Sequence, residues 1–336
     1  MPSLTQHDHG NARSADAYAF MRPVVGNTLA EVLPPQWRFL PDAKTALPKL
    51  AKDSTATAQI KALSAQIPTE HRLVLGDARE LRMESGSVHL VVTSPPYWTL
   101  KEYPEVDGQL GRIDDYGAFL RDLETVWSNC YDALVPGGRL VCVVGDVCLS
   151  RRQNRGRHTV LPLHAAIQEQ CRGIGFDNLA PIIWHKIANM QTEAKGTGVY
   201  LGKPFEPNGV IKNDIEFILM LRKPGGYRRP SMAARVLSLI SADDHDAWFR
   251  QIWTGVGGAS TRRHPAPFPV ALAERLIRMF SFVGDTVLDP FTGTASTQVA
   301  AAQCGRHSVG IEIEPSYLPL ARKRLAEQPH STVHCK

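Results

Sequence analysis

Two hydrophobic rhythms alternate along this chain. Short unbroken apolar runs occur at Val88–Thr93 and again within 139–147, 178–186, 214–222, 286–291 and 307–315. A shorter one, 71–75, ends at Gly76-Asp77. Runs of this length, rich in β-branched residues, predict strands buried on both faces. Between them the spacing shifts to three and four. Phe119, Leu120, Leu123, Val126, Trp127, Tyr131 and Leu134 lie on one helical stripe, which Pro136-Gly137-Gly138 is expected to close. Further helices are predicted at 161–176, 270–285, 295–306 and 315–327.

Strands alternating with helices predict an α/β fold, a mostly parallel sheet with helices on both faces. Ligands of such sheets sit beyond the carboxyl ends of the strands. Four strand ends carry suggestive residues: Asp77, Thr93 to Tyr97, Asp289-Pro290-Phe291 and Glu312. Elsewhere the rhythm fades. Residues 1–69 hold three proline breaks and a helix-compatible stretch at 51–66, and read as an N-terminal extension. Residues 185–262 are irregular, apart from a strand at 214–222 that returns to the sheet. They mix aromatics such as Tyr227 and Trp253 with Arg222, Arg228, Arg229 and Arg235. Gly255 to Gly258 is not expected to be a phosphate loop, since no strand is predicted before it.

Composition narrows the classes. Of 336 residues, 43% are hydrophobic and 21% charged, which excludes wholesale disorder. No apolar run approaches the ~18 residues of a membrane span. The first twenty residues lack a basic start followed by an apolar core, so a cytoplasmic protein is expected. The net charge of +5 is compatible with an acidic polymer as partner. The six cysteines form no C-x-x-C and are expected to be buried, reduced thiols; no metal site is predicted.

The chemistry concentrates in two places. Ser94-Pro95-Pro96-Tyr97 follows a buried strand directly. The prolines lack N–H groups and hold the chain extended, which leaves the Pro95 carbonyl free beside the Ser94 hydroxyl. Those two oxygens can accept both hydrogens of an amine and favour its pyramidal, nucleophilic form. Tyr97 is expected to offer a flat face to a stacked base. The second place is Asp289 to Ala295, a strand followed by a small-residue turn and a helix, where a ligand can approach the backbone closely. Glu312 ends the next strand, the position at which an acidic group meets ribose hydroxyls in nucleotide sites. Arg151, Arg152, Arg155 and Arg157 follow the strand at 139–145 and are expected on the same rim, where a bare charge run reads as a solvated loop.

These motifs, in this order, resemble the S-adenosylmethionine-dependent DNA amino-methyltransferases of the circularly permuted beta class. The resemblance spans about 71–326. Ser94 to Tyr97 matches the catalytic motif, Asp289 to Gly293 the donor loop, and Gly310 to Ile313 the following strand. His264-Pro265 with Phe268-Pro269 matches a segment lining the donor pocket, and Gly76-Asp77 the strand end near the donor adenine. The resemblance implies a Rossmann-like sheet. It implies a catalytic half at 70–184, a target-recognition region at 185–262 and a donor-binding half at 263–330. It assigns catalysis to Ser94, Pro95, Pro96 and Tyr97, and donor binding to Asp77, Thr93, His264, Pro265, Phe268, Pro269, Asp289, Pro290, Phe291, Gly293, Thr294, Glu312 and Ile313. Beside the flipped-base pocket it implies, Arg151, Arg152, Arg155 and Arg157 become expected phosphate contacts, and Arg228 and Arg229 join them as expected DNA contacts. The implied partner is double-stranded DNA with the target base flipped out, in a restriction-modification setting, with a homodimer expected. Where family members often carry a further glycine in the donor loop, this chain has Thr294-Ala295, which predicts a slightly altered turn. The leading Ser94 favours cytosine N4 over adenine N6. An RNA or protein amine methyltransferase, and a non-catalytic DNA-binding protein, are the remaining alternatives.

Overall fold

A computed structural model describes residues 26–100, 103–152, 154–186, 200–201, 206–207, 209–211, 213–258 and 269–336. Its strands are β1 (Thr69–Leu75), β2 (Val88–Thr93), β3 (Leu134–Val144), β4 (Val147–Leu149), β5 (Thr159–Leu161), β6 (Asp177–His185), β7 (Tyr200–Leu201), β8 (Val210–Ile211), β9 (Ile215–Arg222), β10 (Ile252–Trp253), β11 (Thr286–Asp289), β12 (His307–Glu312) and β13 (Ser331–Cys335). Nine of them form one sheet in the order β10-β6-β9-β3-β2-β11-β12-β1-β13. Every pairing in it is parallel except those of β9, which runs antiparallel to β3 and β6. The fold is therefore a Rossmann-like α/β sheet.

Strict alternation along the central strands builds two cores. Leu140, Cys142 and Val144 of β3, with Leu219 and Leu221 of β9, pack under the helices Tyr116–Ala133 and Leu163–Ile174. Val141, Val143, Ile218 and Met220 point the other way, onto the helix Val270–Phe280 and the alanines of Ser296–Gln303. This period-two division is why these runs read as continuously apolar. Asp115 caps the first helix by accepting from Ala118 N at 2.7 Å. That helix ends at Ala133, and Pro136-Gly137-Gly138 lies inside β3 instead of forming the stop.

The structure departs from the expected pattern at further points. β13 is a parallel edge strand on β1 that the pattern did not announce. β10, two residues long, precedes Gly255 and pairs with β6. The helices between Gly26 and Ser64 pack with the helix Met232–Leu237 around Leu33, Ile60 and Val236, so this part of the extension is docked on the body. Cys148 and Cys335 are exposed, while Cys130, Cys142, Cys171 and Cys304 are buried; all six are free thiols. No helix among the described residues is long and apolar enough to cross a membrane.

Candidate active site

The parallel strands β1, β2, β3, β11 and β12 all end on one edge of the sheet. That edge brings the predicted residues together. β2 and β11 are hydrogen-bonded neighbours, with Leu90 opposite Val287 and Val91 opposite Leu288. Two residues further on, the Thr93 hydroxyl donates to Asp289 Oδ1 at 2.7 Å. Asp289 also accepts from Thr297 Oγ1 at 2.7 Å and from Phe291 N at 3.0 Å. The carboxylate is 1% exposed, and Thr93 is fully buried. Burial raises the Asp289 pKa to about 6, against the lowering effect of these donors. Thr93 and Asp289 thus lie beneath the site and fasten the two turns to each other.

Above that fastening lies a narrow cleft of about 50 Å³. Ser94 and Pro96 line it from the end of β2, Pro290 and Phe291 from the end of β11, Gly76 and Asp77 from β1, and Glu312 and Ile313 from β12. Glu312 is 7% exposed. Its Oε2 accepts from Gly293 N at 2.6 Å, and Oε1 from Glu314 N at 2.8 Å. Burial lifts its pKa to about 7, although the backbone donors work against the shift. The turn after β11 has no second glycine. Ala295 takes φ 66°, ψ 39°, a left-handed conformation disfavoured for any side chain. Gly310, opposite Asp289, leaves room for the Thr292 hydroxyl, which a Cβ there would meet at 2.2 Å.

The remaining expectations divide. Pro95 and Pro96 are buried and Ser94 is half-buried. Tyr97 is 6% exposed, so it presents little of the open stacking face expected of it. Its hydroxyl lies 3.2 Å from Ser94 Oγ. Burial, with the nearby Glu216 carboxylate, raises its pKa far above the usual phenol value. Thr294 faces away from the cleft, its hydroxyl accepting from Arg324 Nη1 at 3.0 Å. Pro269 opens the helix Val270–Phe280, whose Val270 packs with Ala295 and Val299. His264, Pro265 and Phe268 lie outside the described residues. Arg151, Arg152, Arg155 and Arg157 sit exposed between β4 and β5, a hairpin that leaves the same edge just after β3.

Because β9 is antiparallel, its carboxyl end faces away from the rim. Arg228 instead pairs with Asp285 at 2.5 and 2.7 Å, just before β11 begins. An apolar run reads identically in either direction, so the sequence does not report which edge of the sheet Arg228 occupies.

Several groups escaped the sequence reading. Arg79 grips Asp77 through Nε at 2.9 Å and also reaches Asp122 Oδ2 at 2.6 Å. Tyr103, Gln109, Leu110 and Tyr317 complete the cleft. None belongs to a strand end, so the strand-end rule could not find them. Glu216 starts β9 on the same edge, and Lys186 bonds its Oε1 at 2.6 Å.

Residues 88–323 match the family described as DNA methylase. The type II methyltransferase M.MjaI of Methanocaldococcus jannaschii is 35% identical over 291 residues, covering 78% of this chain and 93% of its own. M.MthZI of Methanothermobacter thermautotrophicus is 31% identical over 282 residues, 77% of each chain. Among solved structures, TTHA0409 of Thermus thermophilus, described as a putative DNA modification methylase and complexed with S-adenosyl-L-methionine, superposes with a TM-score of 0.66. It is 50% identical over 79% of this chain and 97% of its own. The cytosine-N4-specific PvuII DNA methyltransferase shares the fold alone, at 17% identity over 77% of this chain and 89% of its own, with a TM-score of 0.54. With its central 236 residues under the family match, this chain belongs to the DNA methylases that modify base amines at N4 or N6.

Proposed function

We propose that this chain transfers a methyl group from S-adenosylmethionine to an exocyclic amine of a base flipped out of duplex DNA, with cytosine N4 as the favoured amine. The observation that carries this reading is the 2.7 Å bond between Thr93 and Asp289. It fixes the Ser94–Pro96 turn and the Pro290–Phe291 turn on a single cleft.

The residues suit the donor. Glu312 is a buried carboxylate at the position expected for two ribose hydroxyls. Phe291, Ile313 and Leu110 supply flat or apolar walls for an adenine, and Asp77 stands among them as an acceptor. S-adenosylmethionine, when bound, supplies an electrophilic methyl on a cationic sulfur. Ser94 Oγ and the Pro95 carbonyl accept the two amine hydrogens and hold the nitrogen lone pair toward that methyl. The Tyr97 hydroxyl, 3.2 Å from Ser94 Oγ, keeps the serine oriented. Stacking on Tyr97 requires its ring to be uncovered as the base enters. Rate then comes from positioning and from polarising the amine.

Ser94, a neutral hydroxyl at the head of the motif, favours cytosine. The same two acceptors would grip adenine N6, which makes that the second reading. Enzymatic digestion of modified duplex DNA, followed by mass spectrometry of the nucleosides, is expected to yield N4-methylcytosine. N6-methyladenine as the only product would select the second reading, and an unmodified duplex would reject both.

The hairpin arginines provide a separate test. Each phosphate contact contributes about 0.9 to the slope of log K against log salt. Replacing Arg151 and Arg152 with alanine should therefore lower the slope by roughly 2 without changing donor affinity. An unchanged slope would remove this hairpin from the DNA interface.

A further inference from the structure

The amino-terminal edge of the sheet, opposite the proposed active site, holds a larger and differently charged cleft. It holds about 400 Å³ between the β3 and β9 ends and the helices that pack on them. Arg139, Arg222, Arg228, Arg235 and Arg278 all line it, and no carboxylate residue does. Some of this charge is matched from outside the cleft. Asp177 bonds Arg222 at 2.9 Å, Asp285 bonds Arg228, and Asp244 and Glu274 lie 3.7 and 3.9 Å from Arg278. Arg139 and Arg235 have no carboxylate partner among the described residues.

Arg139 is the informative member. It lies on β3 directly opposite Arg222 of β9, so two guanidinium groups share one cross-strand pair. Its guanidinium stacks over the Phe280 ring at 4.7 Å, half-hidden from water. Burial and the neighbouring Arg222 charge both lower its pKa. Like charges directly opposite each other on a sheet are destabilising. At the mouth of the cleft Tyr227 holds its ring 91% exposed, an uncommon position for a large aromatic side chain on a folded chain. The turn beneath it, Gly225-Gly226, approaches β3 so closely that a Cβ on Gly137 would meet the Gly226 carbonyl at 2.5 Å. The mouth of the cleft is thus braced by backbone, and the Arg139 guanidinium rests on the Phe280 ring.

Planar guanidinium groups converging on a concavity, with an exposed aromatic ring beside them, match the chemistry of phosphate recognition. We propose that this cleft is an anion site that binds phosphoryl groups, with Arg139 and Arg235 as its unneutralised ligands and Tyr227 flanking the bound group. The phosphates could be those of a free nucleotide-like anion, or those of DNA beyond the segment being methylated; the chemistry is the same and the two sources are separable.

The test uses the full-length protein and inorganic pyrophosphate as probe. Pyrophosphate at millimolar concentration is expected to raise the thermal midpoint of the parent protein, since a ligand of the native state stabilises by mass action. Arg235→Glu should abolish that rise. The Arg235 side chain is half-exposed on a helix whose other face packs in the core, so this variant should fold; Arg139→Gln serves as the second, half-buried probe. For the DNA source, Arg235→Glu should weaken binding to a long duplex at least five-fold while leaving binding to a short duplex around the methylated base unchanged. A pyrophosphate effect with no dependence on duplex length assigns the site to a small anion. A length-dependent loss assigns it to DNA. If pyrophosphate leaves the parent midpoint unmoved and Arg235→Glu binds long and short duplexes as the parent does, the proposal is wrong. Methyl transfer to the short duplex should be unaffected throughout, so failure of the cleft and failure of the proposed methyl-transfer site give different results.

Discussion

Replacing Asp289 with alanine is expected to destabilise the protein by roughly 3–5 kcal/mol and to abolish methyl transfer, because each buried donor left unpaired costs about 1–3 kcal/mol. Three donors lose their acceptor at once: the Thr93 and Thr297 hydroxyls and the Phe291 amide. The two turns would also lose the bond that holds their spacing. Asp289→Asn separates the two effects. Its amide oxygen can still accept from Thr93 and Phe291. Its NH2 can donate to the Thr297 hydroxyl, which already lies 3.3 Å from the Val92 carbonyl and can turn its hydrogen there. The asparagine variant should therefore retain most of the stability. Urea midpoints, with unchanged slope, read both variants. An alanine variant as stable as the parent would show that this network fastens nothing.

Glu312→Ala should weaken S-adenosylmethionine binding by about 100-fold or more, since each hydrogen bond to a charged group contributes about 1.5–3 kcal/mol. The same carboxylate sets a pH dependence. Its pKa is raised from 4.5 to about 7 in the folded chain. Hydroxyl groups donate best to the ionised form, so donor affinity is present above about pH 7 and is lost as pH falls through that value. Glu312→Gln should bind weakly at every pH and show no such dependence. Calorimetric titrations at several pH values measure this. A parent and a glutamine variant with the same pH profile would place the donor hydroxyls elsewhere.

Much of this site is visible in the sequence for a plain physical reason. Val88–Thr93 and 286–289 are buried on both faces, so their ends are sharply marked, and the residues that follow them are the ones that meet. Ser94, Pro96, Pro290, Phe291 and Glu312 all line the cleft. What the pattern conceals is pairing and direction. The Thr93–Asp289 bond joins residues 196 positions apart, and no local periodicity reports it. The direction of β9 is equally silent, and it sends Arg228 to the edge of the sheet opposite the Ser94 cleft. β13 alternates half-buried and exposed residues at the sheet edge and carries no apolar signature. Arg79 and Tyr103 shape the cleft from a turn and a loop, where spacing predicts little.

The most direct measurement is a crystal structure with S-adenosylhomocysteine and duplex DNA carrying the target base. The cofactor sulfur is expected beside Pro290 and Phe291, with the ribose on Glu312. The flipped base should place its amine about 2.7–3.2 Å from Ser94 Oγ and from the Pro95 carbonyl. A cofactor lodged at the arginine-lined edge, or a flipped base whose amine lies nowhere near Ser94, would contradict the proposed geometry.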